Sequence, residues 1–179
     1  MTRTVPVTSQ EAPGNYITGA LWNAGPKALG DFTLGLPLCF AFQTVSQSLA
    51  ASTWTSISLD STGASLDTDG GHSNITNNSR YTCQVAGTYF ILGSVTHGNN
   101  TTNTRSARIA KNGTAAQGSE SYGSQGGGFL GETTFAYMPI PLVVGDYVEV
   151  QGWQNSGGAL STVVNSEIAS NMWVFWVHS

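Results

Sequence analysis

Residues able to do chemistry are few in this chain, and none stands at the spacing that chemistry needs. The three histidines, His72, His97 and His178, are far apart, and no two lie four residues apart on a helical pattern as paired zinc ligands do. Each reads as a surface or turn residue. Asp67 and Asp69 are close, but they stand at the Gly70-Gly71 turn, where aspartate serves the backbone. Glu120 and Glu132 border a Gly-Ser-rich run, and Asp146 follows Gly145 at the start of an apolar stretch, again a turn position. A carboxylate pair for glycoside hydrolysis is therefore not indicated. A calcium ion needs several clustered oxygens, and only Asp60, Asp67 and Asp69 come near that. The serines between Gly118 and Gly128 lack the strand-to-helix turn that makes a serine nucleophilic. The expectation is a chain that is not an enzyme and has no catalytic, cofactor-binding or metal-binding residues. Cys39 and Cys83 read either as small buried apolar residues or as one bridge.

What the chain has to position is then a surface. Its 179 residues are enough for one good core and an appendage. Only 9% of them are charged, against about 25% in an ordinary soluble domain, and Gly, Ser, Thr and Asn fill the deficit. The formal net charge is −4, and Arg3, Lys27, Arg80, Arg105, Arg108 and Lys111 are scattered, so nothing is arranged to neutralise phosphates. Nucleic acid is excluded as an expected partner. No apolar run approaches the roughly 20 residues of a membrane span, and the first residues, MTRTVPVTSQEAPGNY, hold no apolar stretch of secretory length. The expectation is neither export nor anchoring.

Residues 1–38 differ in composition from the rest. Pro6, Pro13 and Gly14 favour an extended arm, and Leu21, Trp22, Leu29, Phe32 and Leu34 suggest one or two helical turns interrupted at Gly25-Pro26. From Phe40 onward the text is short apolar-alternating runs separated by turn chemistry: Phe40 to Ser46; Trp54, Ile57 and Leu59, closed by Asp60-Ser61-Thr62-Gly63; a hairpin signal at Asp69-Gly70-Gly71; Tyr81 to Val95; and Arg105 to Lys111 with its Asn112-Gly113 turn. Residues 118–128 read as a mobile loop, and Phe129 to Val144, Tyr147 to Trp153 and Met172 to Val177 complete the series. No helix separates any of about eight to ten antiparallel strands, which leaves a sandwich, jelly roll or closed barrel over residues 39–179.

Two strands are apolar on both faces. In the central one, Tyr89, Ile91 and Val95 alternate with Phe90 and Leu92; in the last, Met172, Val174 and Trp176 alternate with Trp173, Phe175 and Val177. A two-sheet sandwich buries only one face of each strand, so the other must lie against another molecule, and closed symmetry is the economical solution.

Tyr81, Cys83, Gly87 and Tyr89, then Lys111-Asn112-Gly113, then Leu142-Val143-Val144-Gly145-Asp146-Tyr147-Val148 and the apolar last strand resemble the globular head of complement C1q and its relatives in the tumour necrosis factor (TNF) superfamily. The likeness runs from Phe40 to the C-terminus. It departs at Tyr81, where Phe is usual, at Ile91, where Phe is common, and in having no collagenous stalk. It implies an all-β, C1q/TNF-like jelly-roll sandwich with a trimeric habit, and the departures count against roles in innate immunity. By this resemblance Met172, Val174 and Trp176, with Tyr89 and Ile91 beside them, are expected to face a threefold axis.

Across the whole chain, ITGALWNAGPKALGDFTLGLP, DTDGGHSNITNNSRYTCQVAGTY and VGDYVEVQGWQNSGGAL resemble small proteins of actinobacterial (Streptomyces-type) bacteriophages and prophages, usually virion structural ones. That implies a homotrimeric surface decoration, head fibre or minor tail component, assembled in the host cytoplasm and resident in the virion. Trp22, Leu29, Phe32 and Leu34 would then dock the N-terminal segment onto other virion proteins. Two other readings stand beside it: a receptor-binding module gripping bacterial surface glycans through loops 98–104 and 118–128, and a secreted C1q-like binding domain.

Overall fold

The structure is a computed structural model describing residues 4–7, 12, 14, 16–123 and 131–179, with the side chains of residues 64 and 65 outside the description. Residues 124–128 of the expected loop, and the expected strand start at Phe129, lie outside the described residues.

The helical segment comes first. The Thr18 hydroxyl accepts from the Leu21 amide at 3.2 Å and caps α1 (Gly19–Trp22). A π-helical turn (Asn23–Lys27) follows and leads into α2 (Ala28–Leu34). Pro26 has no N–H to donate, and the chain answers by widening into the π turn where the sequence predicts an interruption.

The strands are β1 (Leu38–Phe42), β2 (Ser48–Leu49), β3 (Thr55–Ser56), β4 (Ser61–Asp67), β5 (Arg80–Thr82), β6 (Gly87–His97), β7 (Arg105–Lys111), β8 (Thr114–Ala115), β9 (Ser121–Gly123), β10 (Glu132–Leu142), β11 (Tyr147–Gln154), β12 (Leu160–Ser161) and β13 (Asn171–His178). One sheet has the order β10-β6-β13-β1-β4. The other has the order β3-β11-β7-β8, with β5 on β11 and β9 on β7, and β12 and β2 form a ribbon at one end. Every pairing is antiparallel. The turn after β7 is the two-residue hairpin that Asn112-Gly113 predicts, with both residues at positive φ, 51° and 77°. Two other turn readings are corrected. Residues 61–63 belong to β4 and do not close a strand. Asp69-Gly70-Gly71 makes no hairpin: the Asp67 carboxylate accepts from the Gly71 and His72 amides at 3.0 and 3.1 Å, turning the chain out of one sheet toward β5 in the other.

The core lies between the sheets. Cys39 and Ala41 of β1, Tyr89, Ile91 and Val95 of β6, and Met172 and Val174 of β13 meet Ala107 and Ile109 of β7 and Val148 and Val150 of β11, all fully buried. The two sheets approach most closely where valine faces glycine. A Cβ on Gly93 would stand 2.6 Å from Val150 Cγ2, and one on Gly152 would stand 2.8 Å from Val95 Cγ1. Each valine fills the space that the opposite glycine leaves, which fixes the register between the sheets. Tyr81 and Tyr89 seal the end next to the β5–β6 turn: Tyr81 donates to Asp69 at 2.8 Å, and Tyr89 donates to the Val85 carbonyl at 2.6 Å. Cys39 and Cys83 are buried and unbridged, and burial raises the pKa of both thiols.

Candidate interaction face

Alternation along the five-stranded sheet leaves a second set of side chains pointing away from the core. Register places them in rows across the strands. One row is Pro139, Phe90, Phe175 and Leu38; the next is Tyr137, Leu92, Trp173 and Phe40; the third is Phe135, Ser94, Asn171 and Phe42. No residue in these rows is charged. Phe40 stacks on Trp173 with centroids 4.1 Å apart and on Phe42 at 5.4 Å, while Trp173 lies parallel to Phe175 at 5.6 Å. Phe90 and Tyr137 are 6.5 Å apart. Rings in this order support one another laterally, so the face is a preformed aromatic surface. It becomes polar in the third row, and beyond it the Thr96 and Thr133 hydroxyls bond to each other at 2.9 Å.

The residues expected at a threefold axis are not on this surface. Tyr89, Ile91, Met172 and Val174 are fully buried within a single chain. Both faces of β6 and β13 are apolar, so alternation separated the two sets correctly but could not say which set turns toward β7 and β11. Val150 and Ile109 claim the Gly93 side, and the larger aromatic set is left outside. Trp176 is half-buried at the rim of the sandwich. Its indole N–H donates to the Ala86 carbonyl at 3.3 Å, and its ring takes the edge of Phe32 at 5.1 Å and 81°. Phe32, expected to dock on another protein, is therefore only 5% exposed and holds α2 against the chain's own sandwich. Trp22, Leu29 and Leu34 remain exposed, Leu34 at 91%.

The residues considered for chemistry are dispersed. His72 is held by the Arg80 and Leu59 carbonyls, at 2.9 and 3.0 Å. His178 lies exposed at the C-terminus, and His97 is fully buried at the opposite end of β6. Asp60 accepts from the amide and hydroxyl of Thr44, and those bonds lower its carboxyl pKa against the opposing effect of burial. Asp67 and Asp69 serve the turn and Tyr81, as described. Among the described residues no three His, Cys, Asp or Glu are placed to share a metal ion. Ser119, inside the expected mobile loop, is buried, and its hydroxyl accepts from the Ile109 amide at 3.0 Å, while β9 pairs with β7. Glu120 accepts from Ser106 at 3.2 Å. Sequence reasoning overlooked Arg105, which is fully buried; an Arg at the start of an apolar-alternating run, after a loop of Asn and Thr, was the available signal.

No protein-family model matches the sequence, and no curated protein matches it. Solved structures do match the fold. The globular domain of the zebrafish complement 1qA protein superposes with a TM-score of 0.54 at 10% identity, over 79% of this chain and 98% of that one. Murine APRIL crystallised at pH 8.5 gives 0.54 at 11% identity, over 77% and 98%. The Eiger TNF of S. frugiperda gives 0.56 at 9% identity, over 80% and 94%. The fold is a C1q/TNF-like jelly roll. In it the aromatic face belongs to the sheet carrying both chain ends of the domain, β1 and β13, and α2 caps its rim through Phe32 and Trp176.

Proposed function

We propose that the chain is a non-enzymatic virion structural protein of a bacteriophage, a homotrimer whose jelly-roll heads associate through the aromatic face of the five-stranded sheet. The observation that carries self-association is that face: three rows of uncharged side chains, with Phe135 and Tyr137 more than half exposed. A lone chain would present this patch to water, of the size that on soluble monomers marks an interaction site. A second copy supplies the same chemistry by symmetry. Threefold closure rests on the resemblance to C1q and TNF heads, and residence in a phage particle, assembled in the host cytoplasm, rests on the whole-chain resemblance to actinobacteriophage virion proteins. Within that reading, Trp22, Leu29 and Leu34 on the helical segment are the side chains free to meet another virion protein.

Light scattering of the full chain at micromolar concentration tests association, with a threefold mass expected and a monomeric mass overturning it. Antibody labelling of virions in negative stain tests location: unlabelled particles overturn the virion assignment without touching the trimer.

A receptor-binding role has one observation behind it. Loop 98–104, expected to grip glycans, is held in place from beneath by Arg105, whose guanidinium donates to the carbonyls of Asn100, Thr102 and Thr104 at 2.9, 2.9 and 3.1 Å. A bacterial glycan array reads this role directly, and no binding on the array removes it.

A further inference from the structure

Three ionisable residues meet at the end of the sandwich where β6 finishes and β7 and β10 begin. His97 and Arg105 are fully buried, and Glu132 is the ladder partner of His97. Arg105 occupies the space under loop 98–104 through its three carbonyl bonds. Among the described residues Arg105 Nε and Glu132 Oε2 have no hydrogen-bond partner, and the ring nitrogens of His97 make no bond of good geometry although the backbones of Val95, Glu132 and Trp153 lie close to the ring. Such orphaned polar atoms are rare in a native interior and mark a place where stability is held in reserve.

Among the described residues the surrounding elements contribute no other charge to the cluster. Gln154 of β11 and Gly123 of β9 stand opposite Arg105 in their ladders, and Thr162, next to β12, bridges to His97; all are neutral. Glu120 is engaged by Ser106 and lies beside Arg108, its own counter-charge. Residues 124–130 contain no ionisable side chain. In neutral solution the cluster is therefore balanced, with Arg105 positive, Glu132 negative and His97 neutral. Burial, and then the charge of Arg105, push His97 down to about 4. Burial raises the carboxyl of Glu132, with Arg105 opposing. Acidification thus acts on both groups, with the carboxyl of Glu132 taking up its proton above its ordinary value and the His97 ring below its own.

We propose that His97, Arg105 and Glu132 form a proton-operated latch on loop 98–104. Protonation of Glu132 removes the counter-charge of Arg105, and protonation of His97 sets a second cation beside it. The balanced cluster becomes doubly positive around two fully buried side chains, and the arrangement that relieves it is withdrawal of the guanidinium into solvent. The carbonyls of Asn100, Thr102 and Thr104 then lose their common donor and the loop opens. The core strands do not depend on this end of the molecule, because Ile91, Val150 and Met172 pack in the middle of the sandwich. The latch is independent of whether the chain is trimeric.

A pH titration of the full chain by NMR, following the His97 ring and the amides of residues 99–104, tests this. The loop amides should shift together with His97 on acidification while the β6 and β13 amides stay protected, and the transition should take up about two protons. In His97→Gln one proton is lost from the event, so the transition becomes about half as steep and moves to lower pH. In Glu132→Gln the counter-charge is already gone, so protonation of His97 alone completes the doubly positive state and the transition becomes about half as steep. Wild-type loop amides that remain unshifted while His97 titrates overturn the latch, and so does a His97→Gln loop that opens at the wild-type pH with the wild-type steepness. Should either variant fail to fold, the wild-type titration decides alone.

Discussion

Replacing Trp173 by Glu is the sharpest test of the aromatic face. Trp173 sits mid-sheet, half-buried, stacked on Phe40 and on Phe175. In an isolated chain 37% of Phe90 and of Phe175, 53% of Phe135 and 61% of Tyr137 remain exposed. At roughly 200 Å² per ring system that is about 375 Å² of aromatic surface per protomer. Covering it contributes about 9 kcal/mol at ~25 cal/mol/Å², against an association cost of about 4–15 kcal/mol. Self-association on this face is therefore finely balanced, and other contacts of the interface must add to it. A carboxylate at position 173 removes one stacked ring and places a charge in a dry contact at a penalty of several kcal/mol. Dissociation constants should rise by roughly three orders of magnitude or more, giving a monomer of wild-type fold at micromolar concentration by light scattering. Val174→Glu, one residue along and fully buried, is the control: it should unfold the chain, as read by near-ultraviolet circular dichroism. A Trp173→Glu protein that keeps the wild-type mass refutes the interface, and one that unfolds as Val174→Glu does refutes the assignment of the two faces.

Gly93→Ala should lower stability by about 1–3 kcal/mol, since the new methyl meets Val150 at 2.6 Å; thermal melts measure it, and an unchanged midpoint would mean the sheets are not in contact there. Phe32→Ala should free the helical segment from Trp176, seen as faster amide exchange over residues 19–34 with no change in oligomeric mass. Asp146 is held at about 2 by hydrogen bonds, first from Lys111 and then from the Val143 amide and Asn112, so it contributes stability that is complete above its ordinary value and lost as pH falls toward 2. Melting temperature should therefore fall across that acid window, and Asp146→Asn should flatten that part of the curve; an identical profile for the variant counts against the assignment.

Much of this molecule is local in origin. The absence of helical periodicity after Phe40 and the β-branched and aromatic runs determine an all-β class without reference to any contact, because strand geometry imposes the period-two pattern directly. The Asn112-Gly113 hairpin is as local, two residues that accept positive φ between two alternating runs. That both faces of β6 and β13 need cover is also written in their composition. Which face turns inward is not. Phe90 and Leu92 are as apolar as Tyr89 and Ile91, and the choice falls to complementarity between Gly93 and Val150, residues distant in sequence on opposite sheets. The same holds for Asp67, a turn residue in its own stretch, whose carboxylate collects the amides of Gly71 and His72 to carry the chain between sheets. Phe32 looks like a docking residue until the fold brings Trp176 beneath it. Arg105 reads as one of six scattered cations, and only the closing of loop 98–104 over the end of the sandwich surrounds it with carbonyls. Local patterning reports what each side chain would tolerate; burial, charge balance and partner are properties of elements brought together from far along the chain, and there the tertiary structure decides.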